Sequence, residues 1–294
     1  RGHGGNRRLS GRPGEPHRFR IVPHQEAKLF RLLRPTVAKT GAPFALHLGV
    51  FDRNRNVIES FEGSIHFEVP DGVEGLPDTC VLTPQDAGLK IFEGVRIHKP
   101  GVTRIGLCGE GVKGRCLGNP IVVEDRPQTY VYWGDVHAHG WGDFIMYQMY
   151  LRSEKLDPLV RHRQGRQVGR FDFACPAAMA MDPEKREEIL GAYREACAQM
   201  DEPDCYVPFL AYEGHPRPKN EDRQIIFKTY TEEGIPPPVF TSVRELDETF
   251  RDRDDVLMQV HIGGWPPRWD LYRPAKDRML EVCSGFGCVG GVTT

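Results

Sequence analysis

The stretch Tyr132-Trp-Gly-Asp-Val-His-Ala-His139 marks the point at which the chain changes its grammar. Before it, apolar and polar residues alternate in short runs such as Phe44-Ala-Leu-His-Leu-Gly-Val-Phe51 and Gly63-Ser-Ile-His-Phe-Glu-Val69. A period of two is what a strand buried on one face requires. Asp52-Arg-Asn-Arg-Asn56 and Lys99-Pro-Gly101 supply turn chemistry between the runs, and no amphipathic pattern of three helical turns interrupts them. Short strands about ten residues apart predict an all-β, immunoglobulin-like sandwich over residues 21–126.

Beyond Asp125-Arg-Pro127 strand-like runs alternate with segments of helical period, the pattern of βαβ units. Strands are predicted at Tyr130–Asp135, Phe171–Cys175, Cys205–Tyr212, Val256–Val260 and Met279–Cys283. A helix over Glu184–Met200, capped by Asp182 with Pro183 in its first turn, aligns Ile189, Leu190, Tyr193 and Cys197. A second helix begins at Thr241 or Ser242, with Val243, Leu246 and Phe250 on one face. The expected fold class is therefore α/β, a (β/α) barrel over 127–294 behind the sandwich.

Composition narrows the function classes. A chain of 294 residues is long enough for two domains and a buried catalytic cavity. A formal charge of -2, from 39 basic and 41 acidic residues, gives no general attraction for nucleic acid or an anionic membrane. No run of 18 apolar residues and no apolar signal core is present, so a cytoplasmic address is expected. The first residue is Arg1 rather than Met, which points to a processed or partial product. Residues 1–20, rich in Gly, Arg and Pro, read as a flexible arm. The eight cysteines form no Cys-x-x-Cys pair and read as free thiols, Cys108 and Cys116 among them as small apolar side chains.

The chemistry gathers at predicted strand ends. Residues two apart in a strand share a face, so Asp135, His137 and His139 form a file of potential ligands. Two imidazoles on a stiff strand need little ordering to meet one cation, and a carboxylate beside them can orient a ring or bind directly. A His-x-His alone also fits a surface turn. Two more runs end in ligands, however: Tyr206-Val-Pro-Phe-Leu-Ala-Tyr212 leads to Glu213 and His215, and Val256-Leu-Met-Gln-Val260 leads to His261. In a parallel barrel such ends share one face. Arg217, Lys219 and Arg223 follow on a Pro-rich loop where they could meet a substrate anion, although a solvated basic loop has the same composition. Trp141, Trp265 and Trp269 flank the motifs and could wall a cavity.

These residues resemble a known family. Tyr132-Trp-Gly-Asp-Val-His-Ala-His139 is similar to the opening metal motif of the PHP (polymerase and histidinol phosphatase) superfamily, in a form found in a branch known as a domain of unknown function with an N-terminal β-sandwich. Asp172-Phe-Ala174, Pro208-Phe-Leu-Ala-Tyr-Glu213, Ile225-Ile-Phe227, Val260-His261 and Leu280-Glu-Val-Cys-Ser284 match that branch in order. The resemblance implies a distorted (β/α)7 barrel, two or three Zn, Mn or Fe ions, and phosphoester hydrolysis. It makes His137 and His139 first-motif ligands, Glu213 the bridging carboxylate and His261 a later ligand.

Three departures qualify the match. Pro176-Ala-Ala-Met179 stands where the family has an Asp-His pair, and these side chains cannot ligate a hard cation. Asp222, in Glu221-Asp222-Arg223, stands where the family commonly has a histidine. The sequence ends at Thr294 before the family's last ligand pair, which implies a barrel incomplete at the C-terminus and ligands supplied by a further segment or chain.

The function expected is a hydrolase that turns activated water on a small ester, with His137, His139, Glu213, His215 and His261 on the metal and Asp135, Glu213 and His261 in catalysis. Arg217, Arg223 and Trp265 are the expected substrate contacts. Neither a Gly-x-Ser-x-Gly elbow nor a phosphate loop is present. Two other readings stay open: hydrolysis of a non-phosphate ester, lactone or amide, and a non-catalytic binding module on a decayed barrel, for which Ala177-Ala178 is the best support. Oligomeric state is not legible in the sequence.

Overall fold

Alternation builds the first half. Strand β1 (Leu29–Leu33) buries Phe30 and Leu32, and β4 (Gly63–Glu68) buries Gly63, Ile65 and Phe67 while Ser64, His66 and Glu68 point outward. With β2 (Val37–Lys39), β3 (Phe44–Phe51), β5 (Val73–Glu74), β6 (Thr79–Leu82), β7 (Leu89–Ile97), β8 (Gly101–Thr103), β9 (Gly106–Gly109), β10 (Val112–Leu117) and β11 (Ile121–Glu124), these strands make three sheets. Two are antiparallel and four-stranded, ordered β1-β3-β7-β5 and β10-β9-β4-β6. Their inward residues, among them Leu46, Leu48, Ile65, Leu82, Val95 and Leu107, form one apolar core, which is the packing of a β-sandwich. A third sheet has the order β2-β11-β8.

The fold is that of a computed structural model, which describes residues 26–33, 35–139, 157–178, 184–203, 205–216, 222–231, 235–237, 239–261, 269–284 and 287–288. The expected arm at 1–20, and Trp141, Asp182, Pro183, Arg217, Lys219 and Trp265, lie outside the described residues. No helix among them is long and apolar enough to cross a membrane.

The second half has strands β12 (Gly134–His139), β13 (Phe173–Ala178), β14 (Val207–Pro208), β15 (Leu210–Pro216), β16 (Arg223–Phe227), β17 (Val239–Phe240), β18 (Val256–Val260), β19 (Asp277–Leu280), β20 (Cys283–Ser284) and β21 (Gly287–Cys288). Among the described residues its α-helices are α1 (Pro158–Gln164), α2 (Arg186–Met200) and α3 (Val243–Phe250). Ser242 caps α3 by accepting a hydrogen bond from Glu245 N, and Val243, Leu246 and Phe250 face inward. Helix α2 buries Ile189, Leu190, Tyr193 and Cys197. The basic run at 161–163 lies in α1, where His162 is buried and Arg163 exposed.

The expected (β/α)7, TIM-like barrel is not what forms. The sheet is a mixed, curled path, β12-β13-β15-β16-β18-β19, in which β16 runs antiparallel to both neighbours, and strand predominates over helix among the described residues. One physical reason lies in the link from β15 to β16, residues 217–222. A parallel crossover needs a dozen residues or more, about one helix and two loops, so a link this short can only reverse the chain.

Candidate metal centre

Strand direction assembles the site. Strands β12, β13, β15, β18 and β19 run one way and β16 the other. The C-terminal ends of β12, β15, β18 and β19 therefore meet the N-terminal end of β16 at one rim. His137 and His215 lie toward those ends, Glu213 at the middle of β15, His261 and Glu281 just past β18 and β19, and Asp222 just before β16. Although β12 and β19 are the two ends of the hydrogen-bonded path, His137 Nδ1 lies 3.1 Å from Glu281 Oε1, so the sheet curls until its edges meet at the site.

Around that contact the ligand-type side chains are dense. His261 Nε2 is 3.5 Å from Glu213 Oε1 and 3.7 Å from Glu281 Oε2. The His137 and His261 rings stand edge to face with centroids 4.4 Å apart. On the far side of Glu213, His215 Nδ1 is 3.2 Å from Asp222 Oδ1, and the Asp222 carbonyl accepts a hydrogen bond from His261 N at 3.1 Å. Two triads result, His137/Glu213/His261 and Glu213/His215/Asp222, each with its donor atoms within 4.8 Å of one another. Glu213 belongs to both.

A divalent cation fits this donor set. Ligands held about 2.0–2.2 Å from one ion lie about 3–4.4 Å from each other, so the triads need only a small inward movement. Burial of His261 holds its imidazole pKa below the ordinary histidine value, and this outweighs the raising effect of the Glu213 carboxylate. A neutral ring keeps the lone pair a metal requires. His261 Nδ1 is buried without a hydrogen-bond partner among the described residues, an unmet demand that a cation or a rotated ring would satisfy.

Several expected site residues take other positions. Asp135 does not join the triads: its Oδ1 accepts a hydrogen bond from His137 N at 2.9 Å. The register of β12 against β13 gains one residue between Asp135 and Ala138, and this bulge breaks the two-residue period that would have aligned Asp135 with His137. Arg223, expected to meet substrate, is buried; its Nε donates to Asp277 Oδ1 at 2.9 Å and its Nη1 to the Asp222 carbonyl. His139 is the last residue of β12. Trp269 is exposed in a short 3-10 turn, Trp269–Leu271. Ala177 and Ala178 are fully buried, and the Ala177 carbonyl accepts a hydrogen bond from Tyr193 Oη at 3.0 Å.

Glu281 is the site residue that the sequence reading missed. Its signal was present, since it follows the strand β19 directly, as His261 follows β18. A strand predicted over Met279–Cys283 placed Glu281 mid-strand and concealed that it stands at a strand end.

No protein-family model and no curated protein matches the chain. Similar solved structures include the D00-D0 domain of intimin, at 14% identity and TM-score 0.28 over 36% of this chain and 50% of that one. Parabacteroides merdae β-glucuronidase is similar at 14% identity and TM-score 0.27, over 35% of this chain and 13% of the enzyme. Domains 4 and 5 of the S-layer protein SbsC follow at 12% identity and TM-score 0.24, over 33% and 52%. The chain thus spans about half of the intimin and S-layer fragments and a small part of the glucuronidase. Likenesses this slight do not bear on function.

Proposed function

We propose that the chain is a metal-dependent hydrolase whose reaction centre is the rim formed by His137, Glu213, His215, Asp222, His261 and Glu281. The observation that carries this reading is the pair of ligand triads sharing Glu213. Three carboxylates, from Glu213, Asp222 and Glu281, crowd three imidazoles there, and the nearby guanidinium of Arg223 is already committed to Asp277. Desolvated carboxylates at that density call for positive charge, and two divalent ions with Glu213 between them would supply it. The likeness of the His137 and Glu213 segments to PHP metal motifs supports the same reading, without the barrel.

Zn, Mn or Fe held there would lower the pKa of a water toward neutrality and offset negative charge developing on the substrate. The chain's own residues have separable tasks. Glu213 ties the two triads together, His137 and His261 shape one subsite, and His215 and Asp222 shape the other. Asp135, through His137 N, fixes the backbone turn that presents the first imidazole.

Phosphoesters are the proposed substrate class, on the strength of the motif resemblance. Hydrolysis of a neutral ester, lactone or amide is the second reading, favoured by the withdrawal of Arg223 into an ion pair. Elemental analysis of purified protein, followed by phosphodiester, phosphomonoester, lactone and amide substrates with and without added Mn or Zn, tests both. Stoichiometric metal and activity lost in Glu213→Gln are expected. A folded wild-type protein that takes up no transition metal would refute the proposal.

A further inference from the structure

The geometry points to Glu281 as a positioning residue that fixes the tautomer of His137 and so directs the ring's other nitrogen at the metal. This inference rests on the metal-centre reading above. Glu281 Oε1 lies 3.1 Å from His137 Nδ1, and both side chains are about nine-tenths buried, at 11% and 9% exposure. A carboxylate this close holds the proton on Nδ1, because Nδ1–H can donate to it whereas a bare lone pair would repel it. The lone pair is then on Nε2. A carboxylate behind an imidazole also stops its rotation.

Glu281 is itself held in place. Its amide donates to the Val260 carbonyl at 3.0 Å, so the residue continues the β18/β19 pairing by one step and cannot drift from His261, the next residue after Val260. Its second oxygen, Oε2, lies 3.7 Å from His261 Nε2. One carboxylate therefore stands behind the first histidine and beside the second. It stands between ligands contributed by β12, at one end of the sheet path, and by β18, the strand next to the other end. Glu213 has the bridging place between the triads, and Glu281 lies in neither of them.

The test compares wild type with Glu281→Gln and Glu281→Asp. In metal-free protein, the side-chain 15N shifts of His137, assigned with the help of His137→Gln, are expected to show Nδ1–H in the wild type. Glu281→Gln should convert the ring to a mixture of tautomers, and Glu281→Asp should restore part of the Nδ1–H form. In parallel, chelator competition with Zn should show about 10–100-fold weaker binding in Glu281→Gln, with partial recovery in Glu281→Asp. An unchanged His137 tautomer, or Zn affinity equal to wild type in a folded Glu281→Gln, would overturn the inference while leaving the metal centre intact. A wild type that binds no Zn would overturn the metal-centre reading and this inference with it.

Discussion

Arg223 and Asp277 form a buried ion pair that reaches across β18: the guanidinium belongs to β16, the carboxylate to β19, and Nε donates to Oδ1 at 2.9 Å. Asp277 Oδ2 also accepts Arg273 N at 2.8 Å, so the carboxylate is satisfied on both oxygens. The pair clamps the two strands that lead to Asp222 and Glu281. Truncating one partner leaves the other charge desolvated, and Asp277→Ala should cost about 3–5 kcal/mol. Replacing both, as in Arg223→Met with Asp277→Leu, should recover much of that loss. Urea denaturation measures both variants, and a Asp277→Ala protein within about 0.5 kcal/mol of wild type would contradict the structural role assigned to the pair.

Acid should weaken the fold through His162. This ring is fully buried, with Nδ1 3.0 Å from Tyr206 Oη and Nε2 3.7 Å from Cys197 Sγ, and burial lowers its pKa from 6.5 to about 4. The unfolded chain binds the proton at a higher pH than the folded one, so the contribution is fully present above pH 6.5. It is lost as pH falls toward 4 and is constant below that. A depression of this size corresponds to about 3 kcal/mol over the window. Urea midpoints measured from pH 7.5 to 4.5 should fall steeply in the wild type and less in His162→Gln; parallel slopes in the two proteins would remove His162 as the cause.

Metal should stabilise the folded chain by mass action. An ion that binds the native triads and not the unfolded chain adds about 2.7 kcal/mol at a hundredfold excess over Kd. Thermal scans with Mn or Zn should show a midpoint that rises with metal concentration. Glu213→Gln should lose most of the rise because Glu213 belongs to both triads, whereas His215→Ala should keep the share of the His137/Glu213/His261 subsite. An equal rise in wild type and Glu213→Gln would place the binding elsewhere.

Part of this organisation was legible in the sequence and part was not, for identifiable reasons. Alternation exposed β1, β4 and the other sandwich strands because each has one buried and one wet face. Strand β18 was legible to the residue, since Val256-Leu-Met-Gln-Val260 is bounded by turn residues and a ligand. Strands β12 and β13 begin and end later than their apolar runs, because pairing register rather than hydrophobicity sets their limits. The βαβ pattern does not extend to β16: Arg223–Phe227 is absent from the expected strands, and the brevity of the 217–222 link makes it run antiparallel to β15. His137, Glu213, His215 and His261 were visible as ligand types after strands, but which carboxylates join them depends on the curl of the sheet, which no local pattern encodes. That is why Asp135 stands outside the triads and Glu281, not expected there, stands beside them.

Gly134 tests how closely the first ligand strand depends on its neighbour. It pairs with Phe173 in the β12/β13 register, and a Cβ there would stand 2.4 Å from the Phe173 carbonyl oxygen and 2.5 Å from its ring. The nearest of these atoms is backbone and cannot swing away. Gly134→Ala should therefore push β12 off β13, cost about 1–3 kcal/mol, and move His137, three residues on, relative to Glu281 and His261. Gly191, inside helix α2, is the matched control, since a Cβ there meets nothing within 4 Å. Gly191→Ala gains helix propensity and should stabilise by about 0.5–1 kcal/mol. Opposite signs for the two substitutions, with metal affinity lowered only in Gly134→Ala, are the expected result. If Gly134→Ala keeps both stability and metal affinity, the packing of β12 against β13 does not position the first histidine.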